Sequence, residues 1–278
     1  MLIIAAQGCK KSIDPGNWDI LPPPVVEEPE PEPVEQKTMV LKVMSYNSRL
    51  SKPEDLTTMI EYIKEYNPDF LILRQIDSET TRANKVDRPK EVAQATGMNY
   101  FFAKAFDYQG GGYGNAVLSK YPIEETLLLQ LSGVTSTPEV RSLAMATVKI
   151  DEFNKVVIAG TELDAAAGDE QHRLKQVNEI LSVTKDISYP VIFGGNFNFN
   201  TLPSGQVYNS ISAQFTFGCY GTGCPLNTPK ASPTGIYDFI TYKAADKRIT
   251  VNNYGTFAQS TSNFLPIVAE LKLVLLEK

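Results

Sequence analysis

Histidine is almost absent from this 278-residue chain: His172 is the only one, in the polar run Gln171-His-Arg-Leu-Lys175, which reads as a solvated helix surface. Chemistry that depends on an imidazole base therefore has little to draw on. Cysteines are also few, at Cys9, Cys219 and Cys224. With one histidine and no second cysteine pair, a zinc site at Cys219-x4-Cys224 is disfavoured. There is no basic excess: 26 Lys and Arg stand against 32 Asp and Glu, a formal net charge of -6. That balance offers no general counter-charge to a phosphate backbone, so a nucleic-acid partner is not expected. The single tryptophan, Trp18, precedes the region that reads as folded. Beyond the N-terminus no stretch approaches the roughly 18 consecutive apolar residues of a membrane helix.

What is present is enough apolar residue, 42% of the chain, for one large core. One domain over residues 39–278 with an N-terminal tail is the expected organisation. Met1-Leu-Ile-Ile-Ala-Ala-Gln-Gly-Cys9 is similar to the tail of a bacterial lipoprotein signal, which makes Cys9 a candidate for lipidation. It predicts an exported protein held at a bacterial outer membrane or cell surface, with residues 1–20 as a signal remnant and disordered terminus. Residues 21–38 are rich in proline and glutamate, which excludes helix and sheet and predicts an extended spacer. Cys219 and Cys224 sit in the glycine-rich run Gly218-Cys-Tyr-Gly-Thr-Gly-Cys-Pro225. A disulfide there agrees with export, with free thiols as the alternative.

Strand patterns cover Leu41–Asn47, Asp69–Leu73, Tyr100–Ala103, Ala116–Ser119, Thr126–Leu131, Leu143–Ile150, Lys155–Ala159, Val191–Gly194, Tyr237–Tyr242, Ile249–Tyr254 and Leu265–Leu275. Helices are predicted from Ser51 and Pro53 to Tyr66, with Ile60 and Ile63 inward. Two more run from Glu91 to Thr96, closed by Gly97, and from Asp169 to Lys185, with Leu174, Val177 and Leu181 on one face. Helices linking apolar strands in both halves imply an α/β or α+β protein with two packed sheets and helices outside.

Several landmarks then recur in one order. They are Val43-Met-Ser-Tyr-Asn47, Pro68-Asp-Phe-Leu-Ile-Leu-Arg-Gln-Ile-Asp77, Gly110-Gly-Gly-Tyr-Gly-Asn-Ala-Val-Leu-Ser-Lys-Tyr-Pro-Ile123, Thr161-Glu-Leu-Asp164, Gly194-Gly-Asn-Phe-Asn198, Tyr237-Asp-Phe-Ile240 and Ser262-Asn-Phe-Leu-Pro266. Together, over about Met39 to Leu275, they resemble the endonuclease/exonuclease/phosphatase superfamily, in which Arg141 and Arg173-x-x-Gln176 also fit. The resemblance implies a four-layer α/β/β/α sandwich of two mainly antiparallel mixed sheets flanked by helices. It also implies magnesium-dependent phosphoester hydrolysis with a His-Asp pair.

The same resemblance predicts a degenerate site. Asn47, which in the family lies beside the metal and phosphate, is kept, as is the phosphate-holding Asn198. Gln75 stands where a metal-binding glutamate is expected, with Arg74 in place of the preceding glutamine. Glu162 replaces a phosphate-contacting histidine, and a carboxylate there should repel substrate. Asn196 replaces the aspartate that orients or deprotonates the attacking water. Asn263 replaces a metal-side aspartate and Phe264 the catalytic histidine, so Asp238, whose family role is to orient that histidine, is left without its partner. Amides are poor, uncharged ligands for magnesium, so no cofactor is expected. Loss of a general acid or base alone typically costs ~10²–10⁴-fold.

The first expectation is therefore a catalytically impaired protein whose cleft, lined by Asn47, Tyr113, Arg141, Asn198 and the Cys219–Cys224 loop, binds a glycan, a phosphorylated small molecule or a protein. The alternative is a magnesium-dependent phosphodiesterase, phosphatase or nuclease of weak or altered activity. A third possibility pairs Glu162 with Asp238 for metal-free hydrolysis such as glycoside cleavage.

Overall fold

The computed structural model describes residues 36–49, 52, 55–133, 140–166, 169–199 and 204–277. Cys9, most of the proline-rich spacer, Ser51 and Pro53 lie outside the described residues. Strand β1 runs Thr38–Asn47, so the fold starts one residue ahead of the expected boundary. It is followed by α1 (Asp55–Tyr66), β2 (Phe70–Ser78), a 3₁₀ turn (Thr81–Ala83), α2 (Arg88–Thr96), β3 (Asn99–Tyr108) and β4 (Gly111–Ser119). The second half comprises β5 (Ile123–Leu131), β6 (Arg141–Lys149), β7 (Lys155–Glu162), α3 (Glu170–Thr184), β8 (Val191–Asn196), α4 (Gln206–Ser212), β9 (Thr216–Phe217), β10 (Asp238–Lys243), β11 (Ile249–Thr256) and β12 (Ile267–Val274).

The strands form two six-stranded sheets, ordered β11-β12-β1-β2-β4-β3 and β5-β6-β7-β8-β10-β9. Each holds one parallel pair, β1/β2 and β7/β8, joined through α1 and α3; their other pairings are antiparallel. A parallel pair needs a long crossover, and a helix supplies it while covering the sheet's outer face. Leu41, Val43, Phe70, Ile72 and Val117 of the first sheet meet Ala144, Ala146, Ile158, Ile192 and Ile240 of the second in a dry central core. Met59 and Ile63 of α1 and Val92 of α2 pack on the far side of the first sheet, and Val177, Ile180 and Leu181 of α3 on the far side of the second. This is the four-layer α/β/β/α arrangement expected from the motifs. The sheets pack closely at Gly160 and Gly194, where an added Cβ would lie 2.5 Å and 2.8 Å from Ile72.

Several local expectations need correction. The glycine-rich Gly111–Gly114 segment is strand, paired with β2 and β3, and its glycines sit where a side chain would clash: a Cβ on Gly114 would lie 2.1 Å from the Ala103 carbonyl oxygen. Ile63, Val177 and Leu181 are buried as expected, whereas Ile60 and Leu174 are half-buried and Met59 and Ile180 join the buried faces of their helices. His172 is not a free surface group. It is half-buried, and its Nε2 lies 2.9 Å from the Ser132 carbonyl oxygen, which also accepts from the Gln176 side-chain amide. Asp169 caps α3 by accepting from the His172 backbone N–H.

Cys219 and Cys224 are bonded to each other and pack into the outer core of the second sheet rather than lining a cleft. They lie five residues apart, so the loop closed is short. Reducing the pair is expected to lower unfolding free energy by roughly 2 kcal/mol, the small end of the range for such bridges. Chemical denaturation with and without reductant, beside Cys219→Ser/Cys224→Ser, measures it.

Candidate active-site cleft

The two sheets bring their strand ends together at one place. On the second sheet Glu162, Asn196 and Asp238 are cross-strand neighbours on β7, β8 and β10, so their side chains share one face. On the first sheet Asn47, the last residue of β1, pairs with Arg74 on β2. A bulge in β2 between Leu73 and Ile76 puts Gln75 at φ +56°, a left-handed conformation uncommon for a residue with a side chain. The bulge turns both Arg74 and Gln75 toward the second sheet.

Arg74 is the centre of the convergent cluster. It is fully buried, with Nη1 3.2 Å from Glu162 Oε2 and Nη2 2.8 Å from Asp238 Oδ1. The second approach is an ion contact without hydrogen-bond alignment. Arg141 Nη1 lies 3.5 Å from Glu162 Oε1, and Gln75 Nε2 donates to the same oxygen at 2.5 Å. Asn47 Nδ2 donates to Gln75 Oε1 at 3.1 Å. Asn227 Nδ2 donates to Asp238 Oδ2 at 2.5 Å, and the Phe264 ring lies 5.9 Å from the Arg74 guanidinium carbon. Two guanidinium groups thus face two carboxylates, with a neutral amide relay beside them.

This corrects two expectations. Glu162 does not present a bare negative charge, because Arg74, Arg141 and Gln75 all engage it. Asp238 is not left without a partner either: Arg74 and Asn227 hold it. Both carboxylates are consumed in this network, which leaves neither placed for the metal-free acid–base role. The remaining positions divide. Asn196 Oδ1 accepts from the Asn198 backbone N–H within the loop, and Asn198 Nδ2 donates to the Leu163 carbonyl, which ties that loop to the segment after β7. Asn263 is exposed, and its backbone carbonyl, not its side chain, binds Lys230 N–H. Arg173 and Gln176 secure the turn after β7 through Asp164, Ala166 and Ser132. Sequence reading did not single out Arg74 as the organising residue. The available signal was an arginine inside the apolar strand Phe70-Leu-Ile-Leu-Arg74, where burial requires a charged partner.

Burial pushes the Asp238 carboxyl up to about 6, an effect that Arg74 and then Asn227 oppose and Glu162 reinforces. The folded protein keeps this proton to higher pH than the unfolded chain, which releases it near 3.8. The group therefore favours folding below about pH 4, and that contribution is lost as pH rises toward 6. Relative to Asp238→Asn, the wild-type chain should lose roughly 2 kcal/mol of stability between pH 4 and 7. Denaturation curves of both proteins across that range test it; a constant difference would refute the shift.

Between Gln75, Tyr113, Asn115, Arg141, Ser142 and Glu162 lies a cavity of about 10 Å³, room for about one water. The sequence profile of the Endonuclease/Exonuclease/phosphatase family matches residues 44–254, well over half of the chain. The chain belongs to that family. Solved structures agree on the fold. An endonuclease/exonuclease/phosphatase family protein from Bacteroides thetaiotaomicron superposes with TM-score 0.69 at 16% identity, over 86% of this chain and 100% of that one. A mannosyl-6-phosphatase from B. thetaiotaomicron VPI-5482 gives 0.65 at 15%, over 83% and 99%. D. rerio TDP2 complexed with a single-strand DNA product gives 0.65 at 17%, over 84% and 98%. No curated protein matches the chain in sequence.

Family membership raises magnesium as the cofactor to test against these residues, and they do not fit it. A divalent cation needs anionic oxygens, and both carboxylates here are held by a buried, permanently charged guanidinium. Gln75 and Asn47 bring neutral amides. Among the described residues no three His, Cys, Asp or Glu side chains come together as a metal set.

Proposed function

We propose that this chain is a non-catalytic member of its family, an exported protein whose cleft recognises a ligand instead of hydrolysing it. One observation carries the reading: Arg74, fully buried, is bound to Glu162 and Asp238 where the family's chemistry would need a metal and a histidine. A fixed cation inside the fold removes both the affinity for magnesium and the general acid–base pair. The ligand is a glycan, a phosphorylated small molecule or a protein. The similar Bacteroides protein named as a mannosyl-6-phosphatase makes a phosphorylated sugar the class to test first. The net charge of -6 argues against nucleic acid.

Export is supported by the Cys219–Cys224 disulfide, a bond typical of oxidising compartments. In the proposal Cys9 carries the lipid and the proline-rich spacer holds the domain off a bacterial outer membrane or cell surface. Mass spectrometry of the membrane-extracted chain should find an acylated Cys9; an unmodified thiol there would end that part of it. For the cleft, calorimetry should give no heat of binding with magnesium, and phosphodiesterase and phosphatase assays should stay at background. Micromolar magnesium affinity together with turnover that a chelator abolishes would overturn the reading.

A further inference from the structure

Beside the ion cluster lies a second, larger pocket of about 100 Å³, lined by Arg49, Gln75, Arg82, Phe106, Tyr108 and Tyr113. Gln75 and Tyr113 line both cavities, so the pocket opens alongside the cluster. It is built rather than incidental. A bulge in β3 between Lys104 and Phe106 shifts the register, so that Phe106 pairs with Tyr113. Phe106, Tyr108 and Tyr113 then form a mutually packed trio with ring centroids 5.4 to 6.0 Å apart. The Arg82 guanidinium stacks on two of them, 4.5 Å from the Tyr108 ring and 5.0 Å from the Tyr113 ring. Its Nε donates to both oxygens of Asp77, which fixes its orientation.

The charge of this pocket opposes that of the chain. Asp77 is shared by Arg82 and the buried Arg88, so a single carboxylate faces two guanidinium groups. Arg49 is exposed, and its guanidinium has no partner among the described residues. At the position where the family carries a glutamate, Gln75 adds no negative charge. A protein of net charge -6 therefore keeps a locally cationic pocket with aromatic walls. The volume is below the roughly 150 Å³ of a cavity that holds benzene, too small to enclose a nucleobase and large enough for one tetrahedral oxyanion.

We propose that this pocket binds the oxyanion headgroup of a small substituted sugar, a phosphate or sulfate ester, with Arg49 and Arg82 clasping the anion and the Tyr108/Tyr113 wall bordering the ring. The assignment rests on the non-catalytic reading above in that the ester is held, not cleaved. Arginine suits the task because its planar fork donates two parallel bonds to an oxyanion.

The test uses the disulfide-intact chain and three probes, glucose 6-phosphate, glucose 6-sulfate and inorganic phosphate, titrated by calorimetry at low and at physiological salt. Binding of at least one ester is expected, weakening as salt rises, with the ester favoured over inorganic phosphate. Arg49→Gln and Arg82→Gln should each weaken it at least tenfold, while Lys64→Gln on the outer side of α1 should leave it unchanged. Because Arg82→Gln also disturbs Asp77, Arg49→Gln decides the matter if the other variant fails to fold. Binding that is indifferent to Arg49→Gln, or no binding of any probe at ten-millimolar concentration, would overturn the site. Release of phosphate from glucose 6-phosphate during the same titrations would instead overturn the non-catalytic reading while leaving the pocket standing.

Discussion

Replacing Arg74 with methionine is expected to destabilise the folded protein by about 3–5 kcal/mol at pH 7. The variant keeps the volume of the side chain but strands Asp238 without a counter-charge and leaves Glu162 with Arg141 and Gln75 alone, both carboxylates being almost fully buried. The penalty comes from the unpaired carboxylates, not from a large intrinsic strength of the pair, because desolvation offsets much of the attraction in a buried ion pair. Two further outcomes follow. The deficit should be smaller at pH 5 than at pH 7, because the raised Asp238 carboxyl takes up a proton and ceases to need a partner. The triple variant Arg74→Met/Glu162→Gln/Asp238→Asn, which keeps only the Arg141 charge in the cluster, should recover most of the loss. Urea denaturation of the three proteins at pH 5 and pH 7 gives both answers. A loss under about 1 kcal/mol for Arg74→Met would mean that Arg74 does not organise the cleft.

The second large effect is a gain. Returning the family residues with Gln75→Glu, Glu162→His, Asn196→Asp, Asn263→Asp and Phe264→His, while also changing Arg74→Gln, should create magnesium affinity and measurable hydrolysis of bis(p-nitrophenyl) phosphate. The five substitutions without Arg74→Gln should not. A guanidinium left in the cluster would repel a divalent cation and compete for the restored carboxylates. The six-residue variant is expected to turn over at least ~10²-fold faster than the five-residue one, the lower end of what a general acid–base pair contributes. Equal magnesium binding by the two, measured calorimetrically, would show that Arg74 is not what excludes the metal.

The fold was largely legible because its signals are local. Alternating and continuous apolar runs marked strands β1, β2, β6 to β8 and β10 to β12, and the helical spacing of Val177 and Leu181 marked α3. The site was legible only as a row of substitutions. Gln75, Glu162, Asn196 and Asp238 could each be placed against a family position, yet the sign of their combined charge could not be read from such a comparison. Arg74 drew notice merely as an exchanged neighbour of Gln75. Its side chain reaches Glu162, 88 residues later, and Asp238, still further along the chain, and no local pattern predicts contacts of that range. The pocket of Arg49 and Arg82 was missed for the same reason: its walls depend on bulges in β2 and β3, and a shift of one residue redirects every side chain beyond it.

By itself, then, the sequence determined most of the strand and helix order and the family, and it pointed to Gln75, Glu162, Asn196, Asn263 and Phe264 as the residues to compare with the family's catalytic positions. Those properties reside in residue identity and short-range periodicity. Only the tertiary structure decided how those residues are partnered. Packing two sheets face to face brings the ends of β1, β2, β7, β8 and β10 together, and in that buried space a guanidinium must find carboxylates and carboxylates a cation. The pairing of Arg74 with Glu162 and Asp238 is a consequence of burial and convergence, which a linear chain does not display.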